Sequence, residues 1–293
     1  MRTPVRLSLF AVGLVLAFVA AAGLGSVTGP IGPAAATDHA ASAAHGAMGG
    51  TDEPGKVAAA QGLTAAQDGY RLEVDDTAFV PGVPGPLSFR VLQVTGAPLT
   101  TYTRQHDKDL HLIVVRRDLA DYQHVHPTLG PDGSWSMPLT LPRAGVYRMY
   151  ADFVPPGDTS SVVLGADLVA PGDFQPVPLA PPTNTTSVDG YDVVLAGALT
   201  AGRTSALDLR ISRAGVAVTD LQPYLGSFGH LVAVRVDDLA YLHVHPERSA
   251  SAGPELPFAV DLPTATTYRL FLDFRHGDVV HTAAFTVTAQ ETS

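Results

Sequence analysis

Cysteine is absent from the sequence. Its absence excludes a disulfide framework, a thiolate metal site, a type-1 copper centre and a thiol nucleophile. A transition metal held by this chain must therefore be bound by histidine, aspartate, glutamate or methionine. Methionine is scarce, with four residues, whereas histidine occurs 11 times. Histidine is therefore the main candidate ligand.

Basic residues are also few. The chain has 18 Lys and Arg against 28 Asp and Glu, which gives a formal net charge of -10. This balance argues against a surface that binds nucleic acid or an anionic membrane. We therefore expect no nucleic-acid partner.

Proline and glycine are frequent, with 24 and 28 residues, and they separate short apolar runs. Frequent turns and alternating apolar positions favour antiparallel strands. In the first half, strands are predicted near residues 69–76, 86–93, 109–117, 121–126, 134–141, 145–153 and 161–169. The predicted fold is all-β: two tandem immunoglobulin-like or cupredoxin-like antiparallel β-sandwiches after an N-terminal apolar helix. Tyr147 and Tyr268 are predicted to be core or corner residues of these sandwiches.

The two halves of the chain repeat each other. The stretch "LHLIVVRRDLADYQHVHP" at 110–127 matches "GHLVAVRVDDLAYLHVHP" at 229–246, and "GVYRMYADF" at 145–153 matches "TTYRLFLDF" at 266–274. Matching motifs at a nearly constant spacing indicate the internal duplication of one domain. The predicted segments are a signal peptide or membrane anchor at 1–36, a flexible tether at 37–68, a first sandwich at 69–170, a Pro-rich linker at 171–189 and a second sandwich at 190–289.

The N-terminus has the pattern of an export signal. Arg2 and Arg6 precede an uncharged apolar run from Leu7 to about Gly25. Ala34–Ala36 offers a cleavage site, but the apolar run is nearly long enough to span a bilayer. We expect the rest of the chain to be extracytoplasmic, either anchored to the cell membrane through this segment or secreted.

Each repeat carries two histidines one residue apart, followed by proline. Alternate residues of a strand share a face, so each pair can hold one ion. A third histidine precedes each pair by 13 residues, and a hairpin would bring it opposite the pair. Three neutral imidazoles with an open position suit Cu(II) or Zn(II). The predicted ligands, forming one site per repeat, are His111, His124, His126, His230, His243 and His245.

The same histidines allow a second interpretation. An H-x-H-P turn can form a polar rim in which the imidazoles cap backbone groups and bind no metal. Duplication of the domain would copy such a structural motif as readily as a metal site. The sequence therefore leaves both interpretations open.

Two aspartates are weaker ligand candidates. Asp152 and Asp273 occupy matching positions in "YADF" and "FLDF", and either could add an oxygen ligand. Each also has an arginine four residues earlier on the same strand face, Arg148 and Arg269 respectively. A structural salt bridge within each strand is therefore the favoured alternative.

Two further histidines, His276 and His281, occur in the second repeat and not in the first. They are weaker ligand candidates, because they lie near a turn where surface histidines are common. His106 occurs in the first repeat alone and is not counted among the ligands. The two repeats are therefore expected to differ in affinity.

Catalytic motifs are missing. The chain has no G-x-S-x-G, H-E-x-x-H, P-loop or dinucleotide-binding pattern. A cupin-type site needs a glutamate a few residues after H-x-H, but Glu247 follows too closely and Thr128 stands in the first repeat. We expect a protein that is not an enzyme, with a type-2 copper or cupin-like metalloenzyme as the remaining alternative.

These motifs resemble a family of actinobacterial extracytoplasmic proteins labelled secreted or heavy-metal-binding, whose sandwich repeats carry the H-V-H-P motif. Here the motifs span His111–Pro127 and Pro223–Pro246, and the resemblance covers most of residues 69–289. The chain is more distantly similar to CopC-like and YtkA-like copper-handling sandwiches. It lacks the Met-rich loop of the CopC-like proteins, which disfavours Cu(I).

Together, the residues and the resemblance predict a membrane-tethered or secreted metal-binding protein. Copper is the expected ion and zinc the alternative. The other expected function is a structural or interaction protein, made of two immunoglobulin-like domains without a metal. That protein would bind an unidentified protein partner.

Overall fold

The first repeat folds into two facing antiparallel sheets. One sheet has the strand order β1-β2-β3-β7-β6 and the other β5-β4-β8-β9. Its strands are β1 (Ala66–Gln67), β2 (Tyr70–Val74), β3 (Gly85–Gln93), β4 (His111–Arg116), β5 (Gln123–Val125), β6 (Thr128–Leu129), β7 (Ser134–Leu139), β8 (Gly145–Phe153) and β9 (Val162–Ala170). The seven strands predicted for this half are all present, with ends shifted by a few residues.

The second repeat has the same two-sheet plan. One sheet has the order β10-β11-β12-β17-β16, with β13 paired to β12, and the other β15-β14-β18-β19. Its strands are β10 (Thr185–Val188), β11 (Tyr191–Ala196), β12 (Thr204–Arg213), β13 (Val216–Ala217), β14 (Gly229–Arg235), β15 (Tyr241–His243), β16 (His245–Pro246), β17 (Glu255–Asp261), β18 (Thr267–His276) and β19 (Val279–Thr288). The predicted fold class, two tandem immunoglobulin-like sandwiches, is confirmed.

The structure is a computed structural model that describes residues 61–246 and 252–292, all within one unit, Asp52–Ser293. The predicted leader and most of the predicted tether lie outside the described residues. No helix within those residues is long and apolar enough to cross a membrane.

A tyrosine fixes the same corner in both sandwiches. The Tyr147 hydroxyl donates to the carbonyl of Arg143 at 2.8 Å, and the Tyr268 hydroxyl donates to the carbonyl of Thr264 at 2.9 Å. Both rings are fully buried. A tyrosine that bonds back to the backbone four residues upstream is the tyrosine corner of immunoglobulin-like folds. The prediction for these two tyrosines is confirmed.

Strand β4 is buried on both faces. Leu112 and Val114 belong to the core of the first sandwich, whereas Ile113 and Val115 belong to a separate core between the two sandwiches. A strand covered on both sides reads as a continuous apolar run, which explains the sequence "HLIVVR". Burying a side chain of this size stabilises the fold by about 1.5–3 kcal/mol. The core between the sandwiches therefore joins them firmly.

That second core is built from equivalent parts of both repeats. Strand β14 contributes Val232 and Val234, and β18 contributes Phe271, which stacks on Tyr122 of the first repeat with ring centroids 4.0 Å apart. The Tyr150 hydroxyl of the first repeat donates to the carbonyl of Leu239 in the second at 2.6 Å. The four-stranded sheets of the two repeats thus pack against each other.

The polar contacts across this core are reciprocal. The Tyr122 hydroxyl donates to Asp273 Oδ2 at 3.3 Å, and its counterpart Tyr241 donates to Asp152 Oδ2 at 3.0 Å. Reciprocal contacts between equivalent residues are the mark of a two-fold arrangement. The duplicated domains therefore pack as a pseudo-symmetric pair within one chain.

The last residues of the predicted tether are ordered, which corrects that prediction. Gln61 and Tyr241 exchange backbone hydrogen bonds of 3.2 and 2.9 Å, and the Gly62 amide donates to the carbonyl of Val163 at 3.1 Å. Residues 66–67 form β1. The chain thus enters the fold by pairing with both repeats, a long-range contact that a low-complexity sequence does not reveal.

The predicted linker also ends earlier than expected. Its last part, Thr185–Val188, forms strand β10 and pairs with β11 of the second sandwich. The preceding residues carry no regular strand but are held to the first repeat, because Arg116 donates to the carbonyl of Gln175 and the Val177 amide donates to Asp118. Short polar strands such as β10 lack the apolar alternation by which strands are recognised.

Candidate metal centre

The hairpin of β4 and β5 brings the first predicted histidines together. His111 begins β4, and His124 lies on β5 opposite Ile113. After His126 the chain leaves this sheet and enters β6 of the facing sheet. Pro127 stands at that crossing, where no ladder hydrogen bond needs its missing N–H. At this proline, where the sequence predicts the end of a strand, the chain therefore passes from one sheet to the other.

Three imidazoles converge at this corner of the first repeat. His111 Nδ1 lies 3.0 Å from His124 Nε2 and 3.2 Å from His126 Nε2. All three nitrogens lie within 4.8 Å of one another. Bonds of 2.0–2.1 Å to one ion place neighbouring nitrogens about 2.9–3.4 Å apart in square-planar or tetrahedral geometry. The spacing of these atoms therefore fits one transition-metal ion.

The opposite nitrogens of two rings are tied to hydrogen-bond acceptors. His111 Nε2–H donates to the backbone carbonyl of Gln105 at 3.1 Å, and His124 Nδ1–H donates to Asp273 Oδ2 at 2.9 Å. When each ring carries only the proton that it donates to these acceptors, His111 Nδ1 and His124 Nε2 present lone pairs to each other. Such a contact is repulsive unless a proton or a metal ion lies between the lone pairs. Ligand histidines in metal sites are held by acceptors of this kind.

Burial keeps the rings of His111 and His126 neutral. It lowers the pKa of His111 to about 4, and the nearby His124 lowers that pKa further. Burial also lowers the pKa of His126 to about 2, again with His124 as the next cause. Protons therefore do not compete for these two nitrogens near neutral pH, and their lone pairs are available to a metal.

In the second repeat, the structure describes the side chain of one of the three equivalent histidines, His230. His230 begins its strand as His111 does, and its Nε2–H donates to the carbonyl of Tyr224 at 2.8 Å. Tyr224 corresponds to Gln105 of the first repeat. Burial lowers the pKa of His230 to about 4. The side chains of His243 and His245 lie outside what the structure describes, so the second triad stays a prediction.

The two aspartates belong neither to the histidine triad nor to the predicted salt bridges. Asp273 faces the first repeat, where it accepts from His124 and Tyr122, and it also accepts from Thr282 at 2.5 Å within its own repeat. It thus orients a candidate ligand through a hydrogen bond. Asp152, beside His111 on the neighbouring strand, accepts from Tyr241.

The salt bridges favoured as the alternative are wrong. Arg148 pairs with Asp167 at 3.0 Å and donates to the carbonyl of Gly62, whereas Arg269 donates to Thr286 at 2.9 Å. The interface between the repeats draws the aspartates to tyrosine and histidine partners. That interface was not foreseen from the strand pattern.

His276 and His281 lie outside the triad. His276 shares a 2.7 Å hydrogen bond with the Tyr191 hydroxyl and a 3.0 Å contact with Asp220, and His281 contacts Asp189 at 2.7 Å. Among the residues whose side chains are described, the triad is the one group of three or more histidine or acidic side chains that matches the spacing of a metal site.

His106, which the sequence analysis does not count among the ligands, joins the histidine cluster. Its ring centroid lies 5.2 Å from that of His230 and 6.0 Å from that of His111. His106 lies in the turn before β4 with φ at 50°. The one signal was its position five residues before His111, which places it on the same approach to the strand.

The fold and the cluster define a class: a tandem immunoglobulin-like β-sandwich protein with histidines gathered where its repeats meet. A family model described as "Domain of unknown function (DUF8832)" matches residues 64–166 and 186–291, one match in each repeat. The matches cover more than half of the chain, and the chain belongs to this family. The comparison with curated protein sequences found no match to this chain.

Several solved structures show distant likeness. The surface layer protein SbsC, domains 4–9, is 13% identical with a TM-score of 0.24, covering 76% of this chain and 31% of that one. Titin Ig tandem domains are 14% identical with a TM-score of 0.20, covering 76% and 97%. The CbhA fibronectin(III)-like modules of Clostridium thermocellum are 10% identical with a TM-score of 0.21, covering 75% and 94%. This chain thus spans less than a third of the SbsC structure, and none of these likenesses bears on function.

Proposed function

We propose that this protein binds a transition-metal ion outside the cytoplasm, through His111, His124 and His126. One observation carries the proposal: His111 Nδ1 and His124 Nε2 face each other at 3.0 Å while the opposite nitrogen of each ring donates elsewhere. A cation between two such lone pairs converts a repulsive contact into two bonds. His126 Nε2, 3.2 Å from His111 Nδ1, supplies the third nitrogen.

Cu(II) or Zn(II) is the ion that this donor set suits. Neutral imidazoles prefer these ions, whereas calcium and magnesium prefer oxygen ligands. Thiolates are excluded because the chain has no cysteine. Three protein ligands leave a further position for water or for a donor from another molecule. A site of this form suits the buffering or transfer of an ion, and we propose a binding protein rather than an enzyme.

The proposed location rests on the leader. The charged and apolar pattern of residues 1–36 is that of a segment directed into the cell membrane. The membrane is therefore a proposed partner, by anchoring or by passage during export. The resemblance to extracytoplasmic heavy-metal-binding and copper-handling proteins supports the same compartment.

A calorimetric titration of the metal-free full chain with Cu(II) and Zn(II) tests the proposal. The His39→Ala/His45→Ala background removes two histidines of the N-terminal region, which could hold copper weakly. We expect a His-dependent site that His126→Ala weakens at least tenfold, since one of three ligands is lost. The matched control is His276→Ala, which removes a histidine outside the cluster and should leave affinity unchanged. Equal binding by wild type and His126→Ala would contradict the proposal.

A structural role without metal is the second candidate function. The observation in its favour is the interface itself, where His124 and Tyr122 hydrogen-bond to Asp273 and strands β4 and β14 are buried on both faces. In that account, the histidines are polar members of the interface, and the protein presents two rigid domains to a protein partner. The titration separates the two functions, because a structural protein would bind neither ion in stoichiometric amount.

A further inference from the structure

We propose that the histidines of the two repeats form a single binuclear centre, in which a second ion lies beside the triad ion and is bound by His230. The sequence suggests separate sites, one in each domain. The packing of the repeats places His111 and its equivalent His230 in one cluster. This inference rests on the proposed function, because the second ion presupposes the first.

The distances between rings carry the inference. The centroids of His111 and His230, the equivalent residues of the two repeats, are 6.5 Å apart. The centroid of His124 is 6.1 Å from that of His230. His106 adjoins both repeats, at 5.2 Å from His230. No apolar layer therefore separates the triad from the first histidine of the second repeat.

A small, partly open space lies between these rings. It offers about 20 Å³ to the centre of a water-sized sphere and is lined by His106, His111, His124, His230 and Asp152, with Leu231, Val232, Tyr241 and Val244 forming the rest of the wall. A cavity needs about 10–15 Å³ by this measure to hold one water. Four imidazoles and a carboxylate contribute to its wall, and they offer the two to four polar partners that a bound water or ion needs. The space therefore fits one small bridging species between two ions.

The ring of His230 is oriented by a hydrogen bond to a backbone carbonyl, as the ring of His111 is. Its Nε2–H donates to the carbonyl of Tyr224 at 2.8 Å, which leaves Nδ1 with the lone pair. The residue is 6% exposed, as His111 is. The carboxylate of Asp152 on the cavity wall brings the negative charge that two neighbouring cations need.

The two ions would be close. An ion bound to imidazole lies about 3 Å from the ring centroid, and the triad ion lies between two rings that are each 6–7 Å from His230. The separation between the ions is therefore less than about 10 Å. Two Cu(II) ions at this distance interact magnetically, whereas ions in separate domains would give independent signals.

Electron paramagnetic resonance of the Cu(II)-loaded full chain, in the His39→Ala/His45→Ala background, tests this inference. We expect two ions per chain and a coupled spectrum, either dipolar-broadened with a half-field transition or weakened by antiferromagnetic coupling through the bridging species. His230→Ala is expected to bind one ion and to give an unbroadened spectrum. His106→Ala should weaken the second ion about tenfold and leave the first in place. The control His281→Ala should retain the coupled signal.

The outcomes separate the two proposals. A single uncoupled ion that requires His126 but not His230 would overturn the binuclear centre and keep the triad site. Two ions without magnetic interaction would also overturn it, because the sites would then be remote. No stoichiometric ion would overturn both. The spectrum of the protein with all cluster histidines intact shows whether the two ions are coupled, even if His230→Ala fails to fold.

Discussion

His124 of the first repeat and Asp273 of the second are joined by a hydrogen bond of 2.9 Å between Nδ1 and Oδ2. The bond crosses the boundary between the two domains and fixes which nitrogen of His124 carries the proton. Both side chains are nearly inaccessible, at 6% and 2% exposed. The candidate site in the first domain is thus completed by a residue of the second.

Asp273→Asn is predicted to weaken metal binding about 10–100-fold, the usual effect of losing an acceptor behind a ligand histidine. The neutral amide no longer enforces the Nδ1–H form of His124. Calorimetry with Zn(II) measures the change. The matched control is Asp189→Asn, because Asp189 contacts His281 at 2.7 Å outside the cluster. Identical affinity in Asp273→Asn and wild type would show that the bond does not serve the site.

The metal-free protein is predicted to lose stability as the pH falls from about 6.5 towards 4. Burial lowers the pKa of His111 and of His230 to about 4 in the folded state, below the ordinary value of 6.5. The unfolded chain therefore binds more protons in this window, so acid favours unfolding. Each histidine contributes at most about 1.4 kcal/mol per pH unit.

Urea unfolding at pH 7.5, 6.5, 5.5 and 5.0 in a chelator measures this dependence. His111→Gln should flatten the slope, and Leu209→Ala, which removes no ionisable group, should not. A wild-type stability that is constant between pH 6.5 and 5.0 would contradict the prediction.

Phe271→Ala is predicted to destabilise the protein by about 3–5 kcal/mol, as for other buried aromatic truncations. Phe271 stacks on Tyr122 across the repeat boundary and is 2% exposed. Because Tyr122 shares Asp273 with His124, the substitution should also weaken metal binding. Leu209→Ala, in the inner core of the second sandwich, is the control that should lower stability without a comparable loss of affinity. Equal effects of both variants on affinity would show that the interface has no special link to the site.

The fold was largely predictable from the sequence. The alternation of apolar and polar residues, the turn residues and the duplicated motifs indicate where the strands lie. The 13-residue spacing correctly predicts a hairpin that brings His111 to His124 and His126. These are local features, set by strand geometry within one domain.

The packing between the repeats was not predictable in the same way. The run "HLIVVR" shows that both faces of β4 are buried, but it does not say what covers the second face. The contacts His124–Asp273 and Tyr241–Asp152 join residues 149 and 89 positions apart, and no strand pattern specifies them. The same limit explains why the sequence does not place His106 in the cluster and why the predicted arginine–aspartate bridges are wrong.

Anomalous diffraction from crystals of the full chain grown with Zn(II), or with Cu(II), is the most direct measurement of the triad site. The account predicts an ion about 2.0–2.1 Å from His111 Nδ1, His124 Nε2 and His126 Nε2. It also predicts that the hydrogen bond from His124 to Asp273 is retained. An ordered histidine cluster without an anomalous peak, at a metal concentration that saturates the protein in solution, would contradict the account.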